Sequence, residues 1–224
     1  MSSGLERLET DLAMDVGVVA GPAAARLPED RTQPILDAAK QVGSLLKAAG
    51  HRFALAGGVA AYAHGVPLSL RHDADFCIIR ADAEDVADTL RKEGLTVFVP
   101  PEDWLIKAQC RGEQIDLIFE LAQQAVDEEF LARAEELSVD SVRMPVIGAT
   151  DLIGSLLAAF SEHHCDFGAV LPLARHLREK VDWPGLRARF GAQPMPDAFL
   201  YLLERLDVID PDGRDRRGSG GEAS

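Results

Sequence analysis

The sequence predicts an α+β protein in which a small mixed β-sheet, with helices on one side, is followed by a C-terminal helical region. Three observations predict it. Short apolar strands alternate with amphipathic helices up to about residue 119, so a sheet is interleaved with its own covering helices. Two of those strands flank Arg111-Gly112-Glu113, a hairpin signal, which makes that pair antiparallel. Beyond Glu120 the texture turns helical.

Taken in order, residues 1 to about 28 mix acids, alanines and glycines with little period and read as a loosely attached arm, bounded at residue 30. From Gln33 the apolar positions Ile35, Ala38, Ala39, Val42, Leu45, Leu46 and Ala49 recur at helical spacing until Gly50 closes the run. Residues 53–56 form a short buried strand; the pair Gly57 and Gly58 opens a small-residue helix ending near Gly65; a loop then leads to a second strand, which carries Asp73 and Asp75. Residues 82–93 place Ala83, Val86, Ala87 and Leu90 on one face, with acids first and Arg91 and Lys92 last, as the helix dipole prefers. Residues 95–99 are a strand stopped by Pro100 and Pro101, and residues 104–110 and 114–119 are the hairpin strands.

Further on, residues 125–137 read as an acidic amphipathic helix, and residues 142–146 as a strand. Thr150 is placed to cap a helix from Asp151 to about His163. Residues 166–180, 184–190 and 196–206 give three further helices, with Pro184 and Pro196 near starts, where proline is tolerated. The domain reading is therefore an arm (1–30), a core (31–147), a helical region (148–209) and a polar, glycine-rich disordered tail (210–224).

Composition narrows the function classes. Acidic residues outnumber basic ones by 37 to 23, a formal charge of −14, and a field of that sign repels nucleic-acid backbones. A nucleic-acid partner would need a local basic patch, for which Arg175, Arg178, Lys180, Arg187 and Arg189 are the candidates. No run reaches the roughly 18 apolar residues of a membrane span, and the acidic N-terminus is unlike a signal peptide, so a cytoplasmic protein with no membrane partner is expected. The three cysteines, Cys77, Cys110 and Cys165, are odd in number and widely spaced, and are expected as buried structural thiols.

The chemistry concentrates in residues 54–79. Strand side chains alternate faces, so Asp73, Asp75 and Cys77 point one way while Phe76 and Ile78 point into a core. Two carboxylates about 6 to 7 Å apart on one strand face repel, and a proton on one of them or a bound hard cation such as Mg2+ relieves the repulsion. Asp116, between Ile115 and Leu117, is an acid in an apolar strand; alone it reads as solvent-facing, but beside Asp73 and Asp75 it would complete a three-carboxylate surface suited to a metal site for phosphoryl or nucleotidyl transfer.

The ordered combination of Gly57-Gly58 opening a short helix, Asp73-x-Asp75 at the next strand and a later strand acid, Asp116, resembles the nucleotidyltransferase superfamily that includes DNA polymerase β. The likeness is strongest to small bacterial members, among them abortive-infection-type toxins and antibiotic nucleotidyltransferases. The resemblance implies that Asp73, Asp75 and Asp116 hold two Mg2+ ions, with Mn2+ as a substitute, and that Asp116 accepts the acceptor hydroxyl's proton. It further implies that Gly57 and Gly58 bring backbone N–H groups to the phosphates, with Arg71 and His72 as further phosphate contacts. The expected reaction moves a nucleoside monophosphate from a nucleoside triphosphate to a hydroxyl acceptor and releases pyrophosphate. Charge favours a small molecule or a protein side chain over tRNA as that acceptor. The alternative is a catalytically degenerate member that binds a nucleotide or a partner protein, for example in a toxin–antitoxin pair; a phosphohydrolase using the same acids is a third.

Remaining features read as structural. Consecutive residues Glu162-His163-His164-Cys165-Asp166 cannot all face one ion on a helix, and suit a joint between helices in which His164 or Asp166 touches the substrate. Trp104 and Trp183 read as packing residues, and Arg80 as a solvated strand end.

Overall fold

The computed structural model of the chain describes residues 30–210, so nearly all of the expected arm and of the expected tail lies outside the described residues. Helix α1 (Thr32–Ala48) turns Ile35, Leu36, Ala38, Ala39, Val42 and Leu46 inward and ends where Gly50 adopts a left-handed φ of +79°. The chain then runs through β1 (Ala54–Leu55), α2 (Gly57–Ala63), β2 (Asp73–Cys77), a short 3-10 turn and α3 (Ala83–Lys92). Next come the edge strand β3 (Thr96–Phe98) and the hairpin β4 (Leu105–Cys110) and β5 (Glu113–Ile118). Its turn is tight because Arg111 and Gly112 both take positive φ, +56° and +85°, the backbone of a two-residue primed turn.

A small ribbon follows, β6 (Glu120–Leu121) against β7 (Gln124–Ala125), then α4 (Glu128–Ala132), β8 (Glu135–Val139) and β9 (Val142–Val146). The described residues end with helices α5 (Ala149–Ala158), α6 (Phe167–Leu177), α7 (Trp183–Phe190) and α8 (Pro194–Arg205).

The main sheet has seven strands in the order β3-β4-β5-β2-β1-β9-β8. It is mixed: β2 and β5 are parallel, as are β1 and β9, while the other pairs are antiparallel. One face of its centre is apolar. Ala74, Phe76, Ala108, Ile115 and Leu117 are all essentially buried there, and α1 packs on β2 and β5. The C-terminal helices join the same apolar cluster through Leu152, Leu173, Leu177, Phe199 and Leu203.

Three expectations differ from the structure. Residues 125–137 are not one helix: helical geometry is confined to Glu128–Ala132, capped by the Asp127 carboxylate, which accepts from the Phe130 N–H at 2.7 Å. The chain then becomes β8, because pairing with β9 in register from Glu135↔Val146 to Val139↔Val142 satisfies a whole strand of backbone groups. Thr150 is not a cap. Gly148 holds the N-cap position of α5, and the Thr150 hydroxyl accepts from the Asp182 N–H at 2.9 Å, tying α5 to the start of α7; α5 also stops at Ala158, short of His163. Cys165 is exposed, whereas Cys77 and Cys110 are buried as expected. Among the described residues no helix is long and apolar enough to cross a membrane.

Candidate active site

The site is made by two register relations. Antiparallel pairing of β1 with β2 brings the end of β1 back to Asp75, where the Ala56 N–H donates to the Asp75 carbonyl at 2.9 Å. The chain must leave that point without a side chain. Gly57 has a φ of +54°, and a Cβ built on it would lie 1.9 Å from Asp75 Oδ2, so only glycine fits against this carboxylate.

Parallel pairing of β2 with β5 sets Asp75 directly beside Asp116, and residues opposed in register share a face of the sheet. Asp73 lies two residues before Asp75 on that face and is paired with Gln114. One oxygen from each of Asp73, Asp75 and Asp116 falls within 4.8 Å of the others. Asp73 and Asp75 are half-buried, and Asp116 is 2% exposed.

An ionised carboxylate that deep needs partners. Lys107 on β4 is opposed to Asp116 across the hairpin, and its Nζ lies 2.8 Å from Asp116 Oδ2; the Gln114 amide donates to Oδ1 at 3.1 Å. The polar face therefore reads across three adjacent strands as Asp75, Asp116 and Lys107. Cys77 continues the Asp73–Asp75 alternation but is fully covered, and burial, with smaller contributions from Asp75 and Asp151, pushes its thiol far above the ordinary range. It is no nucleophile.

The donor set suits a hard divalent cation. Oxygens bound to one Mg2+ at about 2.1 Å stand about 3 Å apart when adjacent and about 4.2 Å when opposite, and the three oxygens here, within 4.8 Å of one another, would draw together to meet at one ion. Among the described residues this is the one group of three or more acidic, histidine or cysteine side chains with that proximity.

The other expected site residues are placed less centrally. Gly58 lies in α2, where an added Cβ would meet Leu70 Cδ2 at 2.9 Å. Arg71 is half-buried before β2; it adds to the Thr32 hydrogen bonds that hold the Asp30 carboxyl below its usual range. His72 is exposed on the same segment. Residues 162–165 are exposed and form no ligand cluster; the Ser161 hydroxyl accepts from the His163 and His164 N–H groups, while the Asp166 carboxylate caps α6 through the Ala169 N–H.

The sequence-level basic patch is largely engaged internally. Arg178 pairs with Glu179, Arg187 with Glu204, and Arg189 donates to the Ala122 carbonyl. Arg80 is exposed but lies over the Phe119 ring, 5.2 Å from its centroid, and Trp183 is a buried packing residue whose indole donates to the Arg178 carbonyl. Lys107 and Gln114 were not apparent as site residues from the sequence. Their signal was the hairpin itself, which fixes what stands opposite and beside Asp116.

No family model and no curated protein matches the chain. Solved structures do. The solution structure of the antibiotic-resistance factor ANT(2'')-Ia superposes with a TM-score of 0.55 at 15% identity, over 80% of this chain and 98% of that one. The chain has a nucleotidyltransferase fold. A crystal structure of ANT(2'')-Ia in complex with adenylyl-2''-tobramycin matches this chain at a TM-score of 0.48 and 12% identity, over 77% and 98% of the two chains. A Thermotoga maritima protein described as a nucleotidyltransferase matches at 0.43 and 13%, over 51% and 78%.

Proposed function

We propose that this protein is a Mg2+-dependent nucleotidyltransferase that moves a nucleoside monophosphate from a nucleoside triphosphate to a hydroxyl acceptor, releasing pyrophosphate. The observation that carries the reading is the approach of the Asp73, Asp75 and Asp116 oxygens to within 4.8 Å of one another, beside a glycine turn that admits no side chain. Mg2+, or Mn2+ in its place, would be held by Asp73 and Asp75 with Asp116 beside them, and would offset charge on the triphosphate and on the reacting phosphorus.

In the transfer the acceptor oxygen forms a bond to the α-phosphorus, the bond to pyrophosphate breaks, and the hydroxyl proton leaves toward a carboxylate. Asp116 is the residue for that proton: Lys107 and Gln114 hold its two oxygens in a fixed orientation. Gly57 leaves backbone rather than a side chain next to Asp75, which keeps that carboxylate on the site side. Arg71 and His72 enter the same reading as contacts for phosphate oxygens. The acidic balance of the chain favours a small molecule or a protein hydroxyl over tRNA as acceptor.

The test is incorporation of α-labelled nucleotide, run with all four nucleoside triphosphates and a panel of hydroxyl acceptors, against Asp73→Asn and Asp75→Asn. Mg2+-dependent label and pyrophosphate from the wild type alone supports the reading. Equal background from all three proteins contradicts it; calorimetric binding of Mg2+ and a non-hydrolysable triphosphate without turnover would then assign a nucleotide-binding module, and release of inorganic phosphate a phosphohydrolase.

A further inference from the structure

We propose that the outer edge of β3 is a self-association surface, on which a second copy of the chain pairs its own β3 antiparallel about a twofold axis and joins two sheets into one. The inference is independent of the nucleotidyltransferase reading.

The two edges of the main sheet differ in charge. β8 ends one side, and its Glu135 and Glu136 are exposed charges of the kind that keep strand edges apart. β3 ends the other side without such protection: residues 94–101 carry no charge, in a chain that is 27% charged. Phe98 is 48% and Val99 63% exposed there. Among the described residues only β4 pairs with β3.

Register shows what that edge offers. The two-residue turn makes Cys110 and Glu113 a hydrogen-bonded pair, so alternation turns the backbone groups of Lys107 and Gln109 toward Phe98 and Thr96. Val97, between them, therefore points its N–H and C=O outward, and the Leu95 C=O and Val99 N–H follow on the same side. The Leu95 N–H is already used by the Leu90 carbonyl. A twofold axis beside Val97 would pair this residue with its equivalent through two N–H to C=O bonds and set each Leu95 C=O against a Val99 N–H. The same register opposes Thr96 to Phe98, a β-branched and aromatic pair that covers the exposed ring. Pro100 and Pro101 stop the pairing there.

Charge selects this orientation and a second copy as the occupant. Arg91 and Lys92 lead into the strand, and Glu102 and Asp103 follow it, so an antiparallel twofold brings each basic end to an acidic one, with Glu93 a partial offset. Arg91 is engaged by Glu84 and Asp88 of its own helix, so exposed Lys92 is the side chain to meet exposed Asp103. A parallel copy would set like charges together. A strand this short buries little area, so the dimer forms with concentration and is not obligate.

The experiment is sedimentation equilibrium of the full chain from about 1 to about 100 µM, with hydrogen–deuterium exchange of residues 95–99 at both ends of that range. A reversible dimer whose formation protects the Val97 and Val99 amides is the result expected. Val97→Pro removes an outward N–H, which an edge strand tolerates, and should stay monomeric throughout with Tm within a few degrees of wild type. Val99→Lys leaves the backbone intact and should raise the dimer Kd about tenfold or more, which tests the point even if Val97→Pro fails to fold. Lys92→Glu should weaken the dimer several-fold, and adding Asp103→Lys should restore it. A monomer at about 100 µM overturns the proposal, and edge amides already protected at about 1 µM would then assign the edge to another segment of the same chain. A dimer that Val99→Lys leaves unchanged, or one that the charge swap fails to restore, overturns it as well. None of these outcomes bears on nucleotidyl transfer.

Discussion

Gly57→Ala tests how tightly the turn after β1 is coupled to the site. The backbone there sits at φ +54°, which costs a residue with a Cβ about 1 kcal/mol. The new methyl group would start 1.9 Å from Asp75 Oδ2 and 3.0 Å from its Cγ, where ordinary contact needs at least 3.4 Å, so the carboxylate must move by about 1.5 Å or leave its rotamer at about 1 kcal/mol more. The sum, about 2 kcal/mol, lowers Tm by about 4–8 °C in a chain of this size. The functional loss should be far larger, because displacing a reacting or metal-holding group by about 1 Å costs about 100-fold.

Gly50→Ala is the matched control. It has the same sign of φ, +79°, but a Cβ there meets nothing within 4 Å, so it should lose about 1 kcal/mol with unchanged nucleotide incorporation. The assay pairs thermal melts with labelled-nucleotide incorporation and Mn2+ affinity on both variants. Wild-type Mn2+ affinity and incorporation in Gly57→Ala would refute the coupling of this turn to Asp75.

Other expectations concern the frame around the site. Phe199 is fully buried, with ring centroids 5.4 Å from Phe160 and 5.2 Å from Phe167, so Phe199→Ala should cost about 3–5 kcal/mol in a denaturant melt; a loss below about 1 kcal/mol would mean that the helical region is not packed as described. A disulfide reagent should titrate Cys165 rapidly in the native protein and reach Cys77 and Cys110 only on unfolding, because Cys165 is exposed and the other two are buried. Lys40 bridges Asp37 at 2.9 Å and Asp140 at 2.7 Å, and its hydrogen bond, followed by that of Gln33, holds the Asp37 carboxyl below the usual carboxylate range. A depressed carboxyl pKa contributes stability that is full above the unfolded value and is lost as pH falls through the folded one. Lys40→Met should therefore melt earlier than wild type at pH 7, with the gap closing at pH 2; an equal gap at both would contradict the assignment.

The acids and the glycine turn were legible in the sequence for a local reason: alternation along one strand puts Asp73 and Asp75 on one face whatever the partner strand. That Asp116 joins them depends on β5 lying beside β2 in one register, a long-range fact that spacing could suggest but not fix. Lys107 was within reach, since a two-residue turn at Arg111-Gly112 determines its opposite number; taking Glu113 into the turn and starting the second strand at Gln114 hid the pairing. Residues 125–137 misled because Glu, Ala and Leu favour helix locally, whereas β8 exists only because β9 offers it hydrogen bonds. Thr150 carried a capping residue's chemistry to the second residue of the helix, two past the N-cap Gly148, and its hydroxyl serves the neighbouring helix instead.

The most direct measurement is a crystal of the protein soaked with Mn2+ and a non-hydrolysable nucleoside triphosphate, with an anomalous difference map collected at the manganese edge. Metal density within coordination distance of Asp73 and Asp75, with the triphosphate bound to it and Lys107 still against Asp116, is the result expected. Metal and nucleotide bound elsewhere, with the three carboxylates contacting neither, would contradict the claim that these residues form a nucleotidyl-transfer site.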